Sequence, residues 1–215
     1  MIRKSLIDYD KKPSFYYTAT RIELLPFIND SAKSLLDVGC STGVFGKLAK
    51  EKTSIQKVTG IELNKEEAKT AKTNLDTVYT GTFEDNAKKL KKGGYDIISF
   101  NDVLEHLIDP YDMLHRAKPF LSKNGYILAS IPNVRYIKNL LKYNFKKDWQ
   151  YEDLGILDRT HLRFFTKKSM IRMFQECGYE VNRIEGINSI GRTKRMLLSI
   201  ITFGLISDTY HMQYA

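Results

Sequence analysis

Cysteine is almost absent: Cys40 and Cys177 are the only two thiols in 215 residues. Two cysteines build neither a disulfide framework nor a metal motif, and a reducing cytoplasm is the expected setting. Long apolar runs are missing too. No window approaches the roughly 20 apolar residues that a bilayer-spanning helix needs. The opening Met1-Ile2-Arg3-Lys4-Ser5 has no apolar stretch behind it, so no secretory signal is expected. What is present is enough apolar content, 42% of the chain, to bury one sizeable core. A single domain over residues 1–215, with elaborations, is the simplest organisation. The formal charge of +9 leans toward anionic partners. It is spread along the chain, however, as on a solvated surface rather than a nucleic-acid footprint.

The stretch that organises the chain is Leu35-Leu36-Asp37-Val38-Gly39-Cys40-Ser41-Thr42-Gly43-Val44-Phe45-Gly46. Leu35, Leu36 and Val38 read as the end of a buried strand, and Val44, Phe45 and Leu48 open a helical pattern. Strand, glycine turn, helix is the entry to a βαβ unit, with Gly39 and Gly43 letting the backbone turn tightly and approach a ligand. A second strand at 57–61 is followed by Glu62, an acid roughly twenty positions past the turn, where a ribose needs its hydroxyls bound. A dinucleotide site wants G-x-G-x-x-G, but Ser41 stands at the second glycine, and the Asp37 carboxylate suits a cationic or zwitterionic ligand better than a pyrophosphate.

Asp37-x-Gly39-x-Ser41-x-Gly43 followed by Gly60-Ile61-Glu62 resembles the class I S-adenosylmethionine-dependent methyltransferases, with Ser41 in place of the family's usual middle glycine. The resemblance implies an α/β, Rossmann-like, doubly wound and mostly parallel seven-stranded sheet with helices on both faces. It implies S-adenosyl-L-methionine as cofactor, held by Asp37, Gly39, Cys40, Ser41, Gly43, Glu62 and Leu63. A helix at 65–74 and a third strand at 76–80 lead to Thr82, which stands where the family usually carries an acid for the adenine. Phe83 either lies against the adenine face or belongs to the core. The segment 94–107 resembles the family's fourth motif: a strand ending at Asn101, with Asn101 and Asp102 toward the sulfonium, then Glu105-His106. His106 is either a base or part of a pair that packs the following helix. In related methyltransferases a helix like that at 14–28, within an N-terminal cap of residues 1–30, covers the cofactor, with Tyr16, Tyr17 or Arg21 toward the methionyl carboxylate or the substrate.

Beyond it, Pro110 opens a helix expected to run to 121, and Asn124-Gly125 turns into a fifth strand at 126–131. Regular alternation then lapses over 133–166, an aromatic and basic insertion where a methyltransferase keeps its acceptor-binding element. Inside it, Asp158-Arg159-Thr160-His161-Leu162-Arg163 is close to a segment of methyltransferases acting in sugar, polysaccharide and quinone-type biosynthesis. His161 is the preferred general base over His106, with Asp158 orienting the imidazole and Arg159 or Arg163 gripping an anionic acceptor. Thr166 caps a helix at 167–177, Gly178 ends it, and a sixth strand is expected at 179–187. The tail 192–215 combines Arg192, Lys194 and Arg195 with the most apolar stretch of the chain and a last strand from His211. That helix packs on the domain, lies on an anionic membrane, or meets a second copy.

The reaction implied is in-line methyl transfer to an oxygen of a small molecule such as a sugar or a carrier-linked precursor, with no metal required. RNA methylation is the alternative, against which stand the missing Asn/Asp-Pro-Pro-Tyr signature after the fourth strand and the lack of an appended RNA-binding module. A cofactor-binding partner protein without turnover is the third reading.

Overall fold

The computed structural model describes residues 20–215. Among them run seven strands: β1 (Ser34–Val38), β2 (Lys57–Glu62), β3 (Thr77–Thr80), β4 (Tyr95–Asn101), β5 (Leu121–Pro132), β6 (Gly186–Ser189) and β7 (His211–Tyr214). The helices are α1 (Val44–Lys52), α2 (Lys65–Ala71), α3 (Phe83–Asn86), α4 (Pro110–Ala117), α5 (Ile137–Lys146), α6 (Lys167–Glu176) and α7 (Arg192–Ile201). The strand order is β3-β2-β1-β4-β5-β7-β6, the open sheet expected of a Rossmann-like methyltransferase fold.

The described residues divide into two compact units. The first holds the described residues 20–103 and 115–129, the second 104–114 and 130–215, so that α4 and β5 each run from one into the other. In the first unit β1 pairs in parallel with β2 and β4, setting Val38 opposite Ile61 on one side and Phe100 on the other. Parallel pairing brings the carboxyl ends of β1, β2, β3 and β4 to one edge, where α/β sheets bind their ligands. Burial explains the strand composition: Leu35, Leu36, Ile97, Ile98 and Phe100 are fully enclosed, as befits central parallel strands. Around them α1 buries Phe45 and Ala49, one helical turn apart. Asn64 starts α2 by accepting from the Glu66 and Glu67 amides.

Several boundaries moved. Of the helix expected at 14–28, the described part is a 3₁₀ turn at Ile22–Phe27, and Tyr16 and Tyr17 lie outside the described residues. Asn124-Gly125 does not separate two elements. β5 is continuous through it, though a Cβ at Gly125 would sit 2.8 Å from the Tyr95 carbonyl oxygen.

In the second unit β7 pairs antiparallel with both β5 and β6. The sixth strand is limited to Gly186–Ser189 because its partner β7 is only four residues long. α5 was not expected. It arises inside the supposedly irregular insertion, with Asn139 turned inward to donate to the Val134 carbonyl. α6 begins at a reciprocal cap, Thr166 Oγ1 accepting from the Ser169 amide and Ser169 Oγ from the Thr166 amide, and buries Met170 and Met173. The α7 helix exists as expected, yet none of its residues is buried. Among the described residues no helix is long and apolar enough to cross a membrane.

Truncating Ile98 to Ala should cost about 2–5 kcal/mol of unfolding free energy, the range for an enclosed aliphatic side chain. Ile22→Ala, at a position 53% exposed, should stay within about 0.5 kcal/mol. Urea unfolding that found equal losses would contradict the central place of β4.

Candidate active-site residues

The turn after β1 is built from left-handed backbone. Gly39, Ser41 and Gly43 have φ of 73°, 50° and 78°. At Gly39 a Cβ would lie 2.6 Å from a Val103 methyl, so both conformation and space demand glycine. The Gly39 and Cys40 amides donate to the Ile61 carbonyl at 2.8 and 3.1 Å, tying the turn to the end of β2. One residue further, Glu62 completes the clamp. Its Oε2 accepts from the Ser41 amide and its Oε1 from the Asn64 amide, both at 2.8 Å. The Leu63 amide also engages the carboxylate, which retains acceptor capacity of the kind a ribose hydroxyl needs. Burial raises the Glu62 carboxyl above its ordinary range, against the amide hydrogen bonds that favour the charge.

Asp37 is 2% exposed and accepts from the Ser99 hydroxyl at 2.6 Å. Burial pushes its carboxyl up to about 7, the Ser99 bond opposes this, and the nearby Glu62 charge adds to the rise. The Glu62 charge thus adds to the cost of charging Asp37, and a cationic ligand would relieve it. At the end of β4 the side-chain amide of Asn101 is buried, and neither Oδ1 nor Nδ2 finds a hydrogen-bond partner among the described residues. Such orphaned groups are rare without a ligand or water to satisfy them. A glycine-lined turn, a ribose-ready carboxylate, a charge-poor acidic pocket and an orphaned amide all fit S-adenosylmethionine.

Other expected cofactor residues take different places. Cys40 is 5% exposed, packed where a Cβ on Gly60 would touch its sulfur, so it contributes main chain alone. Burial pushes its thiol far up and leaves it inert. Thr82 caps α3 in a reciprocal pair with Asp85. Phe83 belongs to the core rather than to an adenine face: it is 3% exposed and meets Phe120 edge-on at 5.7 Å. Leu63 remains 58% exposed. Arg21 forms an ion pair with Asp102, and both residues have left-handed backbone.

The second unit gathers the acceptor-side candidates. His161 is 7% exposed, and its Nδ1 lies 3.0 Å from the Ile156 carbonyl oxygen. A carbonyl only accepts, so Nδ1 carries the hydrogen and Nε2 the lone pair. His106 Nδ1 lies 3.2 Å from both the carbonyl and the hydroxyl oxygen of Thr160. Thr160 in turn donates its hydroxyl to Asp158 Oδ1 at 2.8 Å, leaving it to accept from His106. Ile156 sets the His161 tautomer, and Asp158 works toward His106 through Thr160. The two imidazoles meet edge-on, 4.6 Å apart at 72°.

Glu105 joins them, 1% exposed, with Oε1 3.9 Å from His161 Nε2, too long for a hydrogen bond. Glu105, His106 and His161 each offer a ligand atom, all within 4.8 Å of one another. This is a two-imidazole, one-carboxylate set able to hold a divalent cation, with the far ring nitrogens braced on backbone as metal-bound histidines usually are. Linear spacing could not reveal it, because 55 residues separate His106 from His161. Of the expected anion-gripping arginines, Arg159 pairs with Asp153 at 2.9 Å on the surface. Arg163 donates to the Ile108 carbonyl, while its amide and that of Leu162 donate to the Glu105 carbonyl. In the same unit a cavity of about 220 Å³ is lined by Tyr136, Lys138, Lys142, Ile156 and Leu157 among others.

A family model described as methyltransferase domain matches residues 11–184. A ubiquinone biosynthesis O-methyltransferase of Vibrio parahaemolyticus is 27% identical over 168 residues, 73% of this chain and 67% of that protein. The Hydrogenovibrio crunogenus protein of the same name is 28% identical over 187 residues, covering 83% and 76%. A SAM-dependent methyltransferase from Archaeoglobus fulgidus superposes with a TM-score of 0.67 at 18% identity, over 93% of this chain and 90% of that one, a likeness of fold.

Glu62→Ala should weaken S-adenosylmethionine binding by about 1–3 kcal/mol in calorimetry. Binding of a nicotinamide dinucleotide in its place would overturn the assignment of this turn. For Asp37 the raised pKa fixes a sign: its contribution to stability is complete below 3.8 and is lost as pH rises through about 7. Asp37→Asn should therefore flatten the fall in unfolding free energy across that window. An unchanged slope would show that Asp37 does not titrate there.

Proposed function

The chain belongs to the methyltransferase domain family and takes S-adenosyl-L-methionine as its cofactor, and from that premise we propose that it methylates a hydroxyl oxygen of a small anionic molecule, with His161 receiving the hydroxyl proton. The observation that carries the proposal is the fixed tautomer of His161, whose Nε2 lone pair is held ready by the Ile156 carbonyl. When bound, the cofactor supplies a methyl group on a sulfonium, an electrophile that needs positioning more than activation. A hydroxyl is a poor nucleophile until its proton leaves. As the oxygen took the methyl group that the cofactor would supply, the hydroxyl proton would pass to the His161 imidazole, whose ordinary pKa lies near neutrality. The names of the O-methyltransferase relatives support oxygen as the acceptor atom. Lys138 on the cavity wall supports an anionic acceptor, whereas Lys142 is already paired with Glu152. RNA has less support, since the basic side chains are dispersed along the chain.

A second reading is favoured by the convergence of Glu105, His106 and His161. A divalent cation there, with an open position, would bind the acceptor oxygen and lower its pKa as a Lewis acid, the histidines serving as ligands. Two imidazoles favour zinc, iron or manganese over magnesium.

With protocatechuate, an anionic vicinal diphenol, as probe acceptor, His161→Ala should lower turnover by about 10²–10⁴. Cofactor affinity should stay within about twofold, because His161 handles the acceptor. Unchanged turnover would remove His161 from the reaction. Exhaustive chelation separates the two readings: activity that survives it assigns His161 as base, and activity lost then restored by Zn²⁺ or Mn²⁺ assigns the metal.

A further inference from the structure

The α7 helix and the turn after it are exposed in a way that sequence polarity does not explain. On a helix of 3.6 residues per turn, Arg195, Leu198 and Ser199 share one side, and these are its half-buried residues. Ser199 Oγ meets the Tyr210 hydroxyl at 3.3 Å, anchoring that side to a residue only 4% exposed. The opposite side carries Met196, Leu197, Ile200 and Ile201, between 58% and 66% exposed. Left-handed Phe203 and Gly204 then turn the chain, and Phe203 and Leu205 stand 92% and 83% exposed. Six large apolar side chains therefore form one ridge facing water, which soluble surfaces rarely tolerate without a partner.

Charge identifies the partner. Arg192 and Lys194 are exposed at the start of the helix, Arg195 follows, and no acidic residue occurs between Glu185 and Asp208. An apolar ridge flanked by charge of one sign matches an anionic bilayer, where acyl chains take the ridge and headgroups the cations. Ten residues are too few to span the hydrocarbon core, so the helix lies in the interfacial plane. We propose that residues 192–205 dock the protein on an anionic lipid surface. This rests on the exposure of one helix and is independent of the identity of the methyl acceptor.

The test is co-sedimentation of the full chain with phosphatidylcholine vesicles, with and without phosphatidylglycerol. Binding is expected to the anionic vesicles, weakening as salt screens the basic flank. Arg192→Glu with Lys194→Glu should reduce the partition coefficient by at least about fivefold per charge. Phe203→Ser with Leu205→Ser should abolish sedimentation while the unfolding midpoint and cofactor affinity stay at wild-type values, since both side chains face water. Equal recovery with neutral and anionic vesicles, or no binding to either, would overturn the proposal. So would a concentration-dependent dimer in analytical ultracentrifugation that the same serine substitutions dissolve, because the ridge would then belong to a second copy.

Discussion

The Glu62 carboxylate holds two loops at once, one oxygen on the Ser41 amide and the other on the Asn64 amide. The register of the parallel sheet makes this possible. With Val38 opposite Ile61, the last residue of β2 faces the turn past β1. That turn, in left-handed backbone from Gly39 to Gly43, delivers the chain into α1, while Asn64 starts α2. A single half-buried carboxylate thus ties together the loops that lead into two helices. The arrangement has an electrostatic cost, since burial raises the carboxyls of both Glu62 and Asp37 and the Glu62 charge raises Asp37 further. A cofactor carrying a sulfonium and an ammonium is the natural counterweight.

The histidine cluster of the second unit depends on a different device, main-chain carbonyls that dictate where imidazole hydrogens sit. The Ile156 carbonyl fixes His161, and the Thr160 carbonyl and hydroxyl fix His106. Asp158 supports the arrangement from below by engaging the Thr160 amide and hydroxyl. Both imidazoles lie close to the buried Glu105 carboxylate, so the cluster suits either a transferred proton or a cation.

Local chemistry made much of the first unit readable in the sequence. Asp37, Gly39, Gly43 and Glu62 announced the turn because glycine conformation and the acid after β2 are constraints expressed within a few residues. Thr166 and Gly178 likewise marked the ends of α6. Phe83 was ambiguous for a physical reason: an aromatic beside a ligand and an aromatic in a core look alike until Phe120, 37 positions away, is placed against it. The extent of β6 depended on the length of β7, and α5 lay hidden in a segment whose aromatics disguised its periodicity. The meeting of Glu105, His106 and His161 is a tertiary fact with no linear signature.

The central claim is that this chain moves a methyl group from S-adenosylmethionine to the oxygen of a small molecule. It is tested most directly by incubating the protein with cofactor labelled in the methyl group and a whole-cell extract, then separating the products by size and following the label. The account predicts label in the low-mass fraction as a methyl ether, formed only with active protein. Label recovered in RNA or protein, with none in the low-mass fraction, would contradict it.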